Sequence, residues 1–268
     1  MKKVALPRRF TLIPIAHRGL HDLTICENTL TSFSLALERR YNIELDVHLT
    51  LDGELVVIHD NNLKRLCGKN ISVSKLPLCE VKKLFLWDGN KIPTLKEVLS
   101  LVDGRVGIDI VIRSHKINNK YLCDKLLRLL NEYNHKDKII IKSFNPSVIR
   151  YLKKHTDDYA IGQLSQAYLS GANPFFRYWI RSLRVLRYSH ADFISYCVSN
   201  LPNQYCSYYR KRGYPVIAWT VRNDRSLTKA KLFSDNYVFE TIDINNEFQK
   251  EIVEITMQKY RELSLEKE

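Results

Sequence analysis

The chain has 268 residues, 45% of them hydrophobic and 26% charged, which are ordinary globular values and enough length to bury a sizeable core in one large α/β domain or two small ones. Its formal net charge of +13 favours anionic partners, either phosphorylated molecules or an anionic membrane surface. The basic residues are spread along the chain without a recognition motif, which argues against nucleic acid, and no apolar run approaches the roughly 18 residues of a membrane span.

The opening text, MKKVALPRRFTLIPIAHRG, begins with lysines, but Pro7, Arg8 and Arg9 break it before the apolar run 10–16, so a signal peptide is not expected. Six cysteines, at 26, 67, 79, 123, 197 and 206, show no paired metal spacing. Reduced thiols in a cytoplasmic protein are expected.

Taken in order, residues 13–16 form a short apolar strand ending in His17-Arg18-Gly19. Glu27-Asn28-Thr29 then opens a helix whose Leu30, Phe33, Ala36 and Leu37 recur at helical spacing. Asn28 or Thr29 supplies the N-cap, and spacing alone gives Glu27 and Asn28 a capping role rather than a catalytic one. The strand 43–50 completes a βαβ unit. In it Glu44, Asp46 and His48 alternate with Ile43, Leu45, Val47 and Leu49, so two carboxylates and a histidine share one face. Asp52-Gly53 is turn chemistry, and the β-branched run 55–58 is an extra strand that delivers His59-Asp60 at its end.

Residues 61–91 interrupt the alternation with segments rich in lysine and leucine. It resumes with Ile92-Pro93-Thr94 opening a helix to about residue 101, a strand over 106–112, an amphipathic helix over 119–133, and a strand over 138–144 whose three isoleucines are typical of burial on both faces. Pro146 begins a helix to 154. Further strands are expected at 159–164, 192–196, 215–220 and 236–240, with helices at 202–211, 226–233 and 247–263. The eight strands starting at 13, 43, 106, 138, 159, 192, 215 and 236 are the number that closes a parallel (β/α)8 TIM barrel, here one domain with 61–91 as a small insertion after the second barrel strand.

The segment 171–189, GANPFFRYWIRSLRVLRYS, has a second face. If it is helical from Phe175, Arg177, Arg181 and Arg184 lie together, opposite Phe176, Trp179, Ile180 and Leu183. That layout suits an interfacial helix on anionic lipid; it equally suits the fifth helix of the barrel, which is the preferred reading because the fold requires one.

Strand ends are where α/β folds build their sites. Paired carboxylates, an arginine and two histidines at such ends offer oxygen ligands for a divalent cation, a guanidinium fork for phosphate and imidazoles for proton transfer. Together they suit a metal-assisted reaction at a phosphate.

HRG at 17–19, ENT at 27–29, ELDVHLTLDGELVVIHD at 44–60, IPTLKEVL at 92–99, the strand at 107–113, SFNP at 143–146, GQL at 162–164 and AWTVRN at 218–223 resemble, as an ordered set, the glycerophosphodiester phosphodiesterases. The resemblance implies metal-dependent hydrolysis of a glycerophosphodiester to an alcohol and sn-glycerol 3-phosphate. It implies that Glu44 and Asp46 bind a divalent metal, Mg²⁺ or Ca²⁺, that Arg18 holds the phosphate, and that His17 and His59 are the acid/base pair, with the assignment between them open.

The chain departs from the family on the third barrel strand, where relatives carry Glu-x-Lys and this sequence has Asp109-Ile110-Val111. Asp109 is one methylene shorter and reaches the metal directly or through a water. Val111 cannot replace an ammonium. Lys142 on the adjacent strand either supplies that charge to the substrate or is a rim lysine with a solvated head. Trp219, at the end of the seventh strand, would pack on the glycerol carbons. His48 is read as a hydrogen-bonded bystander, His115, His135, His155 and His190 as surface residues, and the roles of His21 and Glu240 stay open.

Two other activities compete. A lysophospholipase D type of enzyme would use the same set, with 171–189 forming an apolar entrance to the barrel. A non-catalytic binding barrel is motivated by the altered third strand and disfavoured by the presence of His17, Arg18, Glu44, Asp46 and His59. The partners expected are a small glycerophosphodiester and, if 171–189 is interfacial, an anionic membrane; no nucleic acid is expected, and no oligomeric state follows from the sequence.

Overall fold

In the computed structural model, which describes residues 1–113, 119–167 and 173–240, nine strands form one sheet. They are β1 (Ile15–Ala16), β2 (Asn42–Leu49), β3 (Leu55–Val57), β4 (Ile108–Ile112), β5 (Ile139–Ser143), β6 (Ala160–Ser165), β7 (Phe193–Cys197), β8 (Val216–Val221) and β9 (Asn236–Phe239). Eight run parallel, and the pairing of β1 with both β2 and β9 closes them into a barrel. β3 is antiparallel to the outer half of β2, Val47 opposite Val57, and so carries the chain back to the barrel mouth at His59.

Between the strands lie α1 (Leu30–Glu38), α2 (Leu95–Val102), α3 (Lys120–Asn131), α4 (Pro146–His155), α5 (Pro174–Arg181), α6 (Gln204–Arg210) and α7 (Asp224–Phe233). The expected helix 247–263 lies outside the described residues, as do His115 and the first two residues of the segment 171–189. That segment is a barrel helix with a break: α5 stops at Arg181, Leu183 takes a positive φ of 57°, and a single turn Leu186–Ser189 follows. Its Ile180, Leu183, Val185 and Leu186 are buried toward the barrel.

The alternation of each strand divides the apolar residues between two layers. Outward residues such as Ile43, Leu45, Ile108, Ile110, Ile139 and Ile141 pack under the helices. Inward residues at the lower end, Ile15, Ile140, Ala160, Phe193, Ile217 and Val238, plug the barrel together with Phe10 from the one-turn helix Arg9–Leu12. The plug is apolar except for Asn42 and Asn236, whose buried amides donate to the Ile13 carbonyl and, from Asn236, to that of Phe10. The charged inward residues of the strands, Glu44, Asp46, Asp109 and Lys142, lie above this plug, toward the C-terminal end. Residues 61–91 enclose a separate small cluster, with Leu63, Leu66, Val73, Val81 and Leu86 packed against Cys26, Val56 and Ile58.

One glycine requirement is steric. Gly19 has φ +80°, and a Cβ there would lie 2.5 Å from the Ser32 Oγ, so the turn after His17 can seat on α1 only without a side chain.

Candidate active site

The upper end of the barrel opens into a cleft of about 300 Å³ lined by His17, Arg18, Glu44, His59, Arg113, Lys142, Trp219 and Arg222, among others. His17 and Arg18 come from the turn after β1, Glu44 and Asp46 from β2, His59 from the end of β3, Asp109 from β4, Lys142 from β5 and Trp219 from β8. Six of the eight sequence-predicted residues thus line one space, Asp109 is buried against Lys142, and Asp46 stands directly behind Arg18 and Arg113.

Register explains the lower tier of the cleft. Glu44 is paired with Asp109 across β2 and β4, and Val111 is paired with Lys142 across β4 and β5. Lys142 consequently reaches down between the two carboxylates; its Nζ donates to the Asp109 Oδ2 at 2.6 Å and to the Glu44 Oε2. All three are buried, so the rim lysine with a solvated head is not what forms. Burial raises Asp109, and Glu44 adds to the effect against the pull of Lys142. Two buried carboxylates and one ammonium leave this tier short of positive charge, and the Asp109 Oδ1 is buried with no hydrogen-bond partner.

Asp46 is fully buried and its carboxylate is taken on every side. Arg113 Nε donates to Oδ1 at 2.6 Å, Asn28 Nδ2 donates to Oδ2 at 3.0 Å, and Arg18 Nε stands 3.3 Å from Oδ2. Burial pushes Asp46 up, but the charges of Arg113 and then Arg18 outweigh it and hold the carboxyl far below the ordinary range. Among the described residues no three His, Cys, Asp or Glu side chains converge as a ready cation cage. Lys142 stands between Glu44 and Asp109, and guanidiniums hold Asp46. The donor chemistry nevertheless fits a hard cation, since it is all carboxylate oxygen and includes one unpartnered buried atom.

The histidines differ in surroundings. His17 Nδ1 is hydrogen-bonded to the Glu240 Oε2, and its Nε2 lies 3.4 Å from the Glu44 Oε1. Glu240 also accepts from Arg222. Burial raises Glu240, while the hydrogen bond and charge of His17 and then Arg222 bring it down to about 2. His59 donates through Nδ1 to the Asp60 Oδ1 at 2.6 Å, which leaves Nε2 as its lone-pair nitrogen. Burial lowers His59, and Arg113 and Arg18 lower it further against Asp46, so the ring is neutral at pH 7. His48 Nε2–H donates to the His59 carbonyl at 3.0 Å and fixes the backbone of that turn.

Three features were not legible in the spacing. Glu27 and Asn28 do not cap α1. Thr29 does, accepting from the Ser32 amide at 3.1 Å, while Asn28, at φ +58°, turns inward to brace Asp46 from both sides of its amide. Glu27 accepts from Arg18 at 2.7 Å and from both terminal nitrogens of Arg65. Arg65 Nε donates to the Asp60 Oδ2 at 2.6 Å, so one residue of the insertion links the partner of Arg18 to the partner of His59. Arg113 and Arg222 sit one residue past their strands, and only the closed barrel shows what they meet. Trp219 donates to the Ser195 carbonyl at 3.1 Å and meets Phe144 edge to face at 5.5 Å, forming an apolar wall beside the polar tier.

A closed parallel barrel with charged residues from five strand ends converging at its C-terminal mouth defines an enzyme-type site, with chemistry directed at an anion. The family model for the glycerophosphoryl diester phosphodiesterase family matches residues 17–249, and the chain belongs to that family. It is 36% identical over 216 residues to a glycerophosphodiester phosphodiesterase of Caldanaerobacter subterraneus subsp. tengcongensis, covering 77% of this chain and 84% of the relative. It is 32% identical over 169 residues to Lysophospholipase D GDPD1 of Homo sapiens, covering 58% of this chain and 52% of that protein. A solved Oleispira antarctica phosphodiesterase, in complex with the product sn-glycerol-3-phosphate, superposes with a TM-score of 0.72 at 25% identity over 85% of this chain and 92% of the other.

Proposed function

We propose that the cleft hydrolyses glycerophosphodiesters to an alcohol and sn-glycerol 3-phosphate. The observation that carries the reading is the meeting of His17, Arg18, His59 and the Glu44–Lys142–Asp109 tier around one cleft of about 300 Å³. The product held by the Oleispira relative supports it. The lysophospholipase D reading asks for an apolar entrance from 171–189, and among the described residues of that segment none lines the cleft. The non-catalytic reading has less support still, because the acid/base and phosphate-binding side chains stand together.

Arg18 presents its guanidinium to the phosphate while Glu27 and Asp46 hold it in place. The neutral Nε2 of His59 accepts the proton of the attacking glycerol hydroxyl, and the cyclic phosphate formed as the alcohol leaves is then opened by water to sn-glycerol 3-phosphate. His17, whose ring is held by Glu240, returns a proton to the oxygen of the departing alcohol, so the new P–O bond forms as the old one breaks. Trp219 covers the glycerol carbons. Glu44, Asp46 and Asp109 are the residues that would hold a divalent cation, Mg²⁺ or Ca²⁺; when bound it supplies positive charge to the phosphate oxygens in the transition state. Lys142 compensates Glu44 and Asp109 from the neighbouring strand, in place of the ammonium missing at Val111.

The reading includes peripheral contact with an anionic membrane and a reducing, cytoplasmic setting. The latter is supported by six cysteines that are all unpaired. Among the described residues no helix is long and apolar enough to cross a membrane. The test is release of glycerol 3-phosphate from glycerophosphocholine and glycerophosphoethanolamine in EDTA and after restoring Mg²⁺, Ca²⁺ or Mn²⁺. Metal-restored turnover that disappears in both His17→Ala and Glu44→Ala is expected; turnover that survives either substitution defeats the assignment.

A further inference from the structure

The barrel uses very little of α5. Of its eight residues only Ile180 is buried, while Phe175 is 80% exposed, Phe176 40% and Tyr178 43%. Trp179 links Phe176 to Tyr188, with ring centroids 5.8 and 5.9 Å apart, and Tyr208 on α6 is also exposed. Phe175 at 80% exposure contributes little to the fold, Phe176 rests on Trp179 with its outer side in water, and aromatics grouped at a surface in this way mark a face that meets something apolar.

The charges on this face are of one sign. Residues 173–191 contain four arginines and no aspartate or glutamate. Arg184 lies over the Tyr178 ring at 5.2 Å and Arg212 over Tyr208 at 3.6 Å, so these guanidiniums rest on aromatic faces. Among the described residues no carboxylate lies within 4 Å of Arg181, Arg184, Arg187 or Arg212, whereas Arg210 on the far side of α6 pairs with Asp235. Between the two helical segments runs a groove of about 360 Å³ whose walls include Arg184, Arg187, Gln204, Tyr205 and Tyr208. It combines cationic forks with hydroxyl and amide donors and holds no anionic group. That is the recognition chemistry of a phosphate ester.

Position joins the two observations. In a parallel barrel each helix begins at the mouth end of the strand before it. Phe175 and Phe176 in the first turn of α5, and Gln204 and Tyr205 in the first turn of α6, therefore lie at the end where the catalytic cleft opens.

We propose that this face docks the protein reversibly on an anionic phospholipid surface, with Phe175 and Phe176 entering the interface and the Arg184–Arg187 groove taking a lipid phosphate. The inference deepens the membrane contact proposed above by naming its surface, and it is independent of the chemistry in the cleft. Aromatic side chains at the headgroup level and arginines facing anionic lipid are the two terms that hold an interfacial protein without a span. The orientation brings the barrel mouth toward the surface at which phospholipid breakdown releases glycerophosphodiesters.

The full chain is sedimented with phosphatidylcholine vesicles and with phosphatidylcholine–phosphatidylglycerol vesicles, beside F175S/F176S and R184Q/R187Q. Binding to the anionic vesicles alone is expected, weakened on the order of tenfold or more in each double variant. Turnover of soluble glycerophosphocholine should stay at the wild-type level in both, which shows that they fold and keeps this test separate from that of the catalytic reading. Equal binding to neutral vesicles, or undiminished binding of either variant, overturns the proposal. So does displacement from anionic vesicles by inorganic phosphate at constant ionic strength, which would make the groove a site for free phosphate.

Discussion

Replacing Lys142 by methionine removes the ammonium that bridges two buried carboxylates and keeps most of the side-chain volume. Breaking a buried ion pair from one side costs about 3–5 kcal/mol, because the orphaned charge stays out of water. In a chain of this size 1 kcal/mol moves Tm by about 2–4 °C, so a fall of roughly 6–20 °C is expected at pH 8 in EDTA. The cost must also depend on pH. Without the pull of Lys142, the already raised Asp109 lies further above its unfolded value of about 3.9, so binding a proton favours the folded state. Stability is then fully present below the unfolded value and is lost as pH rises through the folded one. The Tm gap between variant and wild type should therefore be small near pH 5 and widest near pH 8, and Mg²⁺ or Ca²⁺ at pH 8 should recover part of it. Thermal melts followed by circular dichroism measure this directly. A gap that is absent, or identical at both pH values, would refute the view that Lys142 serves as the compensating charge of this tier.

Arg65→Gln should lower kcat by about tenfold to a hundredfold with little change in Tm, since Arg65 is half-exposed and acts by aligning Asp60 and Glu27, and a misplaced catalytic group costs rate before stability; millimolar guanidinium should restore part of the rate, and a fall in Tm as large as that of Lys142→Met would contradict the assignment. In the pH profile of kcat/KM, the acid limb should lie below the usual histidine value of about 6.5, because His59 must be neutral and its surroundings lower it. Glu240→Gln should cost up to about 3 kcal/mol at pH 7 in a denaturant titration, the equivalent of holding Glu240 near 2. The sign is that of a depressed carboxyl: the stabilisation is present above pH 4.5 and disappears as pH falls toward 2. Asn28→Ala should lose catalytic rate as well as stability, since it leaves the Asp46 carboxylate one donor short, whereas Thr29→Ala should lose about 1 kcal/mol of cap alone.

Strand positions were legible because they rest on local pattern. The runs read at 43–50, 106–112 and 138–144 alternate or are rich in β-branched residues, and the number of such strands, eight, is the one that closes a barrel. The face shared by Glu44 and Asp46 follows from a period of two and needs no tertiary information. The same holds for His17 and His59, each released at the end of an apolar run. The α5 segment was legible only in part. Its apolar spacing gave the helix and the buried Ile180, but the stop at Arg181 depends on Leu183 turning back onto the core with a positive φ, which no sequence period signals.

Which side chain meets which was decided by closure. Asn28 reads as a cap by residue type, since Asn and Thr are both good caps, and the choice fell to Thr29 because the turn after His17 brings Asp46 within reach of the Asn28 amide. Lys142 reads equally as rim or site. The register Val111 to Lys142, which sets Lys142 one strand from Asp109 and two from Glu44, settles its direction, and the uncompensated charge of two buried carboxylates supplies the reason for it to go there. Arg65 and Glu240 are 38 and 223 residues from Glu27 and His17, the groups they hold, so no local rule could join them. The sequence by itself determined the elements, their order and the chemistry of the groups at their ends, because propensity and periodicity act over a few residues. Only the tertiary structure determined the pairing of charges, because an ion pair between distant residues exists once the barrel has brought them together and excluded water from between them.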